Sequence, residues 1–220
     1  APSSIIDLRK LLAERFPQEQ VPPPDRLVTG LGIFDDALAG GLSKGAITEL
    51  TSAAGNAGSA TIIAALLHRA CHDRSFIALI DGRDSFDPQS FDGSALPHLL
   101  WVRCRKAAEA LQAADLLLRD GNFPLVILDL VLNPVTELRR IPANNWYRLQ
   151  RLVEPAPTAF LVLTPRSMIS SAQWKLTLEN RWTLPQLEWA APDLQGRLQI
   201  RVQRAQPNKW RAEPAIAQAG

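Results

Sequence analysis

Apolar positions along this chain follow two patterns. Between Ser4 and Phe16, Ile5, Leu8, Leu11 or Leu12, and Phe16 recur near helical spacing, with Ser4 placed to cap the first turn. This predicts a short amphipathic helix that Pro17 ends. Residues 17–25, with Pro22-Pro23-Pro24, read as a stiff extended linker. From Leu27 onward, continuous apolar runs of strand length alternate with helix-period segments. The sequence predicts a helical turn at Phe34–Leu38 closed by Gly40-Gly41, a strand at Ala46–Thr51 and a helix at Thr61–His72. Next come a strand at Ser75–Asp81, a helix at Ala107–Asp120 and the strongest buried strand, Phe123–Leu132. A helix at Asn144–Glu154, a strand at Thr158–Thr164 and an alternating strand at Arg197–Arg204 follow.

Buried strands separated by helices of this length require crossover connections, hence a mostly parallel sheet. The expected fold is α/β, with that sheet flanked by helices. Three parts are expected: an N-terminal helix and linker (1–25), a core domain (26–205) and a loosely ordered tail (206–220).

Composition narrows the class. With 220 residues, 46% hydrophobic and 21% charged, the chain can bury a real core. The net charge of +2 permits nucleic-acid contact without arguing for it. Cys71 and Cys104 stand alone, outside any zinc-ligand spacing, and read as reduced thiols. His68, His72 and His98 have no ligand-spaced partner, and Asp84 and Asp87 read as turn or cap residues. No apolar run is long enough to span a bilayer, and residues 1–10 lack a signal pattern. A cytoplasmic protein without membrane contact, nucleoid-associated if it meets DNA, is expected.

The informative segment is 29–72. Thr29-Gly30, Phe34-Asp35, Ala37-Leu38, Gly40-Gly41-Leu42, Gly45 and Glu49 resemble the entry to a RecA-family ATPase core. That resemblance implies a RecA-like, P-loop NTPase type of fold, with a phosphate loop directly after the strand. A phosphate loop requires G-x-x-x-x-G-K-[ST]: the lysine reaches the β and γ phosphates and the hydroxyl holds magnesium. Aligned on Gly58, this chain has Ala53 for the first glycine, Ser59 for the lysine and Ala60 for the hydroxyl residue. No lysine occurs between Lys44 and Lys106, so a register shift cannot restore it. Ala78–Pro88 resembles the RecA segment that supplies a water-activating glutamate, and Arg83 stands in its place. A guanidinium cannot act as that base at neutral pH. Leu125–Leu130 resembles a Walker B strand ending in Asp129. Gly55, Gly58, Ser59, Thr61 and Asp129 therefore read as a vestigial nucleotide site, with no cofactor, no bound ATP and no catalytic residue expected.

The resemblance spans about residues 26–205, and with the decayed loop it is most similar to ImuA-type proteins. These are RecA-related accessory factors of bacterial translesion synthesis. It implies a non-hydrolysing role in DNA-damage tolerance, with a Y-family-like (ImuB-type) polymerase subunit and an error-prone polymerase as partners. Contact with RecA, self-association and DNA binding are further expectations. The alternatives are a RecA-fold ATPase in which Arg69 or a partner's lysine replaces the missing one, and a division-inhibitor-like interaction protein. Arg166, Lys175 and Arg181, interleaved with Trp174 and Trp182, suit DNA contact or form an ordinary loop packed on the core. Arg197 and Arg201 mark a positive stripe or a charged sheet edge. Ile5, Leu8, Leu12 and Phe16 form a stripe that docks on another subunit or packs on its own domain.

Overall fold

The computed structural model describes residues 26–52, 57–91 and 93–205. The segment expected to form an N-terminal helix with a docking stripe (Ile5, Leu8, Leu12, Phe16), the expected linker, Gly55 and the residues from 206 lie outside the described residues. Strands β1 (Arg26–Leu27) and β2 (Leu42–Ser43) pair antiparallel around α1 (Gly32–Ala37). The Thr29-Gly30 and Phe34-Asp35 motif gains a physical reason here. One Asp35 carboxylate accepts from Thr29 N, Thr29 Oγ1 and Gly30 N at 2.9, 2.8 and 3.1 Å, while Phe34 is fully buried. The motif is a tied turn that anchors α1.

The main sheet follows. Strand β3 (Ala46–Ser52) leads toward α2 (Ser59–His72), then come β4 (Ile77–Asp81), β5 (Leu99–Arg103) and α3 (Ala107–Asp120). Strand β6 (Leu125–Asp129) precedes α4 (Val135–Leu138) and α5 (Ala143–Val153), and β7 (Ala159–Thr164) follows. The chain closes through β8 (Trp174–Leu178), α6 (Leu184–Leu187), α7 (Ala191–Gly196) and β9 (Ile200–Ala205). The order across the seven strands is β5-β4-β6-β7-β3-β8-β9, parallel from β5 to β8 with β9 antiparallel at the edge.

Strands β3, β4 and β7 are buried along their whole length; β4 and β7 read as apolar runs for that reason, whereas β3 buries Thr48, Glu49 and Thr51 among its apolar positions. Alternate side chains serve opposite layers. Ile77 and Leu79 join Leu50, Ile62, Leu67 and Leu163 under α2. Ala78 and Ile80 join Val126, Phe160 and Val162 under α3 and α5. Two strands escape the sequence pattern. The edge strand β5 is only half-buried, so LLWVR shows no clean period. Strand β8 lies within the stretch read as a polar loop, its ladder to β3 running from Thr48–Trp174 to Ser52–Leu178. The strand expected from Arg197 starts at Ile200, because α7 and the buried Leu198 occupy the preceding residues.

Candidate functional site

In parallel sheets, ligands bind outside the carboxyl ends of the strands, where helix N-termini converge. Strands β3, β4 and β6 all end at such a place, beside the start of α2. A cleft of about 550 Å³ opens there, and Thr61, Asp81, Phe86, Asp129, Trp189 and Leu194 are among its walls.

Gly58 is the N-cap of α2, with φ at +103°. A Cβ at this position would come within 2.9 Å of Leu198 Cδ2 and 3.0 Å of Trp182 Nε1. Only glycine combines this left-handed backbone with so close an approach. Ala57, Gly58 and Ser59 are all buried. The segment 182–198 thus forms an apolar roof on the start of α2, with α7 packed against that helix and Trp182 edge-on to Trp189. Ser59 is buried at the helix start and lines the cleft together with Ala60 and Thr61.

Two carboxylates stand side by side across the sheet, since Asp81 and Asp129 are register partners. Asp81 is fully buried and accepts from Ser85 N and Phe86 N, both at 2.7 Å, and from Ser85 Oγ at 3.2 Å. It holds the turn after β4 in place. Asp129 accepts from Val131 N at 2.9 Å. Burial pushes its carboxyl up to about 6; the Val131 amide opposes this and the negative charge of Asp81 adds to it. Asp87 completes a wall that, among the described residues, contains three aspartates and no lysine, arginine or histidine. Such a cleft repels phosphate and favours neutral or cationic groups.

Neither arginine weighed for this site reaches it. Arg83 is exposed, and its Nη1 donates to the Arg105 carbonyl at 3.0 Å, outside the cleft wall. Arg69 is ten residues along α2 from Ser59, about 15 Å away by helix rise. It pairs with Asp73 at 2.7 Å and packs along Gly30. It is not placed to substitute for the loop lysine.

The five basic candidates for DNA contact occupy different settings. Lys175 is mostly buried and pairs with Glu49 Oε2 at 3.1 Å, so its charge is already used. Arg201 pairs with Glu179 at 2.7 Å. Arg197 stacks over Trp189 at 4.3 Å and shares a shallow cleft of about 490 Å³ with exposed Arg181. Arg166 is half-buried, and its Nε has no hydrogen-bond partner among the described residues. Arg181 and Arg197 line one cleft, and Arg201 reaches its wall through Glu179.

Glu49 carries more of the structure than its place in the entry motif suggests. Fully buried, it accepts from Met168 N (2.7 Å), Ile169 N (3.0 Å), Ser167 Oγ (3.1 Å) and Thr164 Oγ1 (3.3 Å) beside the Lys175 pair. One carboxylate therefore pins the segment after β7. A charged residue inside an apolar strand was its signal in the sequence; its partners, about 115 to 126 residues further on, had none. The roof tryptophans had no signal beyond their size. No protein-family model matches this chain, and no curated protein does.

Proposed function

We propose that this chain is a RecA-like accessory protein of bacterial DNA-damage tolerance that does not hydrolyse ATP and works through protein partners. By the resemblance, those partners are a Y-family-like polymerase subunit and an error-prone polymerase. The reading rests on the resemblance of residues 29–49, 78–88 and 125–130; the latter two segments bring Asp81, Asp87 and Asp129 to one cleft. The observation that carries the non-hydrolysing part is the chemistry of that cleft. Three carboxylates and no cation line it among the described residues, and the start of α2 is buried beneath Trp182 and Leu198. Phosphoryl transfer needs the opposite, cations aimed at the developing charge.

A titration with fluorescent ATP analogue plus magnesium, run alongside a phosphate-release assay, tests this. No saturable binding and no turnover above background are expected. Magnesium-dependent phosphate release that Asp129→Ala abolishes would establish an ATPase instead. The partner part is tested by affinity capture from DNA-damaged cells of the source organism: polymerase subunits are expected, and division proteins alone would favour the interaction-protein alternative.

A further inference from the structure

We propose that the groove between α3 and the α4–α5 turn is a docking site for an acidic, apolar segment of a partner protein. It lies across the sheet from α2 and does not rest on the reading of the cleft above. The groove measures about 670 Å³; Leu116, Ile141 and Pro142 supply its accessible apolar surface, over the buried Ala107, Leu111 and Leu149. Leu116 is 68% exposed, an unusual position for a large aliphatic side chain on a helix that packs its other face on a sheet. The space suits two or three anchoring side chains, as in grooves that accept an amphipathic segment.

Charge selects the occupant. The acids in the groove are engaged internally: Asp115 pairs with Arg119 (2.9 Å) and Arg148 (2.8 Å). Glu137 accepts from Ala107 N (2.7 Å) at the start of α3 and from Asn133 Nδ2 (3.4 Å). The cations at the same end are only loosely engaged, Arg105 through the charge of Asp84 at a distance. Arg105, Lys106, Arg139 and Arg140 are exposed, and their side chains make no ion pair among the described residues. Arg105 and Lys106 immediately precede α3, Arg140 lines the groove and Arg139 adjoins it. A partner segment with aliphatic or aromatic anchors and flanking Asp or Glu would cover Leu116 while its carboxylates meet this basic end. The apolar floor distinguishes such a segment from a phosphate backbone, which needs charge alone.

The test pans the full chain against displayed 16-residue peptides and measures the affinity of a selected, fluorescein-labelled peptide by anisotropy. Selected peptides are expected to carry paired apolar anchors with flanking acids. Leu116→Asp and, separately, Arg139→Glu with Arg140→Glu should each weaken binding at least tenfold. Both variants alter exposed positions, and an unchanged circular dichroism melt confirms that they fold. Absence of enrichment, enrichment of basic peptides, or affinity within twofold for either variant overturns the proposal. Three further outcomes also overturn it by naming another occupant. One is dT oligonucleotide binding that is lost with the arginine pair and indifferent to Leu116→Asp. Another is a synthetic peptide of residues 1–16 that competes for the groove. The last is self-association that Leu116→Asp abolishes.

Discussion

At the scale of single residues, charge placement decides most of what this protein can do. Glu49 and Lys175 form a buried pair whose value depends on both members. Glu49→Ala leaves the Lys175 ammonium mostly buried and frees the amides of Met168 and Ile169, so a loss of about 3–5 kcal/mol is expected. Lys175→Met should cost less, because Glu49 keeps four hydrogen-bond donors. Urea denaturation of both single variants and the double variant measures the coupling. A double variant that loses the sum of the two would mean the pair does not interact. The same pair means that Lys175→Ala reads out stability before it reads out DNA contact. Ser59→Lys follows similar logic at the start of α2. Ser59 is buried beside Gly58 and lines the cleft, so a lysine there must crowd that packing to bring its ammonium to the cleft. The variant should gain no ATP turnover and should melt lower than the parent; phosphate release restored by this one change would refute the account of the cleft.

At the scale of elements, α2 and the segment 182–198 depend on each other through one backbone position. Gly58→Ala meets both a φ of +103° and the side chains of Leu198 and Trp182. A loss of about 1–3 kcal/mol is expected, seen as a lowered melting temperature. An unchanged melt would mean that the roof moves freely. Helix α3 shows how a sequence reading can locate an element and miss its cap. The predicted span, Ala107–Asp120, matches the structure, and Gly121 ends the helix at φ +69°. Its first amide, however, is capped by Glu137, thirty residues away. Local capping rules look only at neighbours, and Lys106 at the N-cap provides no side-chain hydrogen bond.

At the scale of the whole molecule, Asp129 links the cleft to the pH dependence of stability. Burial raises its carboxyl to about 6 in the folded state, against about 3.9 when unfolded. Folding therefore takes up a proton between these values. The stabilising contribution is complete below about pH 4 and is lost as pH rises through 6. A shift of about 2 units bounds the effect near 3 kcal/mol, and the partial solvent access of the side chain lowers it. Asp129→Asn keeps an acceptor for the Val131 amide and removes the titration. Relative to the parent, it should therefore gain stability between pH 4.5 and 7.5 in urea denaturation. Equal pH slopes in the two proteins would show that Asp129 does not titrate in this window.

Much of the architecture was legible because it is written in local periodicity. Completely buried strands such as Ala159–Thr164 and helices such as Ala107–Asp120 announce themselves, since each residue reports the burial of its own position. The α/β class and the mostly parallel sheet follow from the alternation of such elements. The departures of Ser59 and Arg83 from the motifs the sequence resembles were also plain, because a motif is a statement about identity and spacing. Only the tertiary structure decided what depends on distant contacts. It joined Glu49 to the segment after β7 and to Lys175, made a strand of Trp174–Leu178, and closed Trp182 and Leu198 over Gly58. It separated Arg69 from the cleft and set exposed Arg140 in the lining of a second groove, with exposed Arg105, Lys106 and Arg139 near in the chain to its lining residues. A side chain's chemistry is local, but its burial and its partners belong to the packed chain.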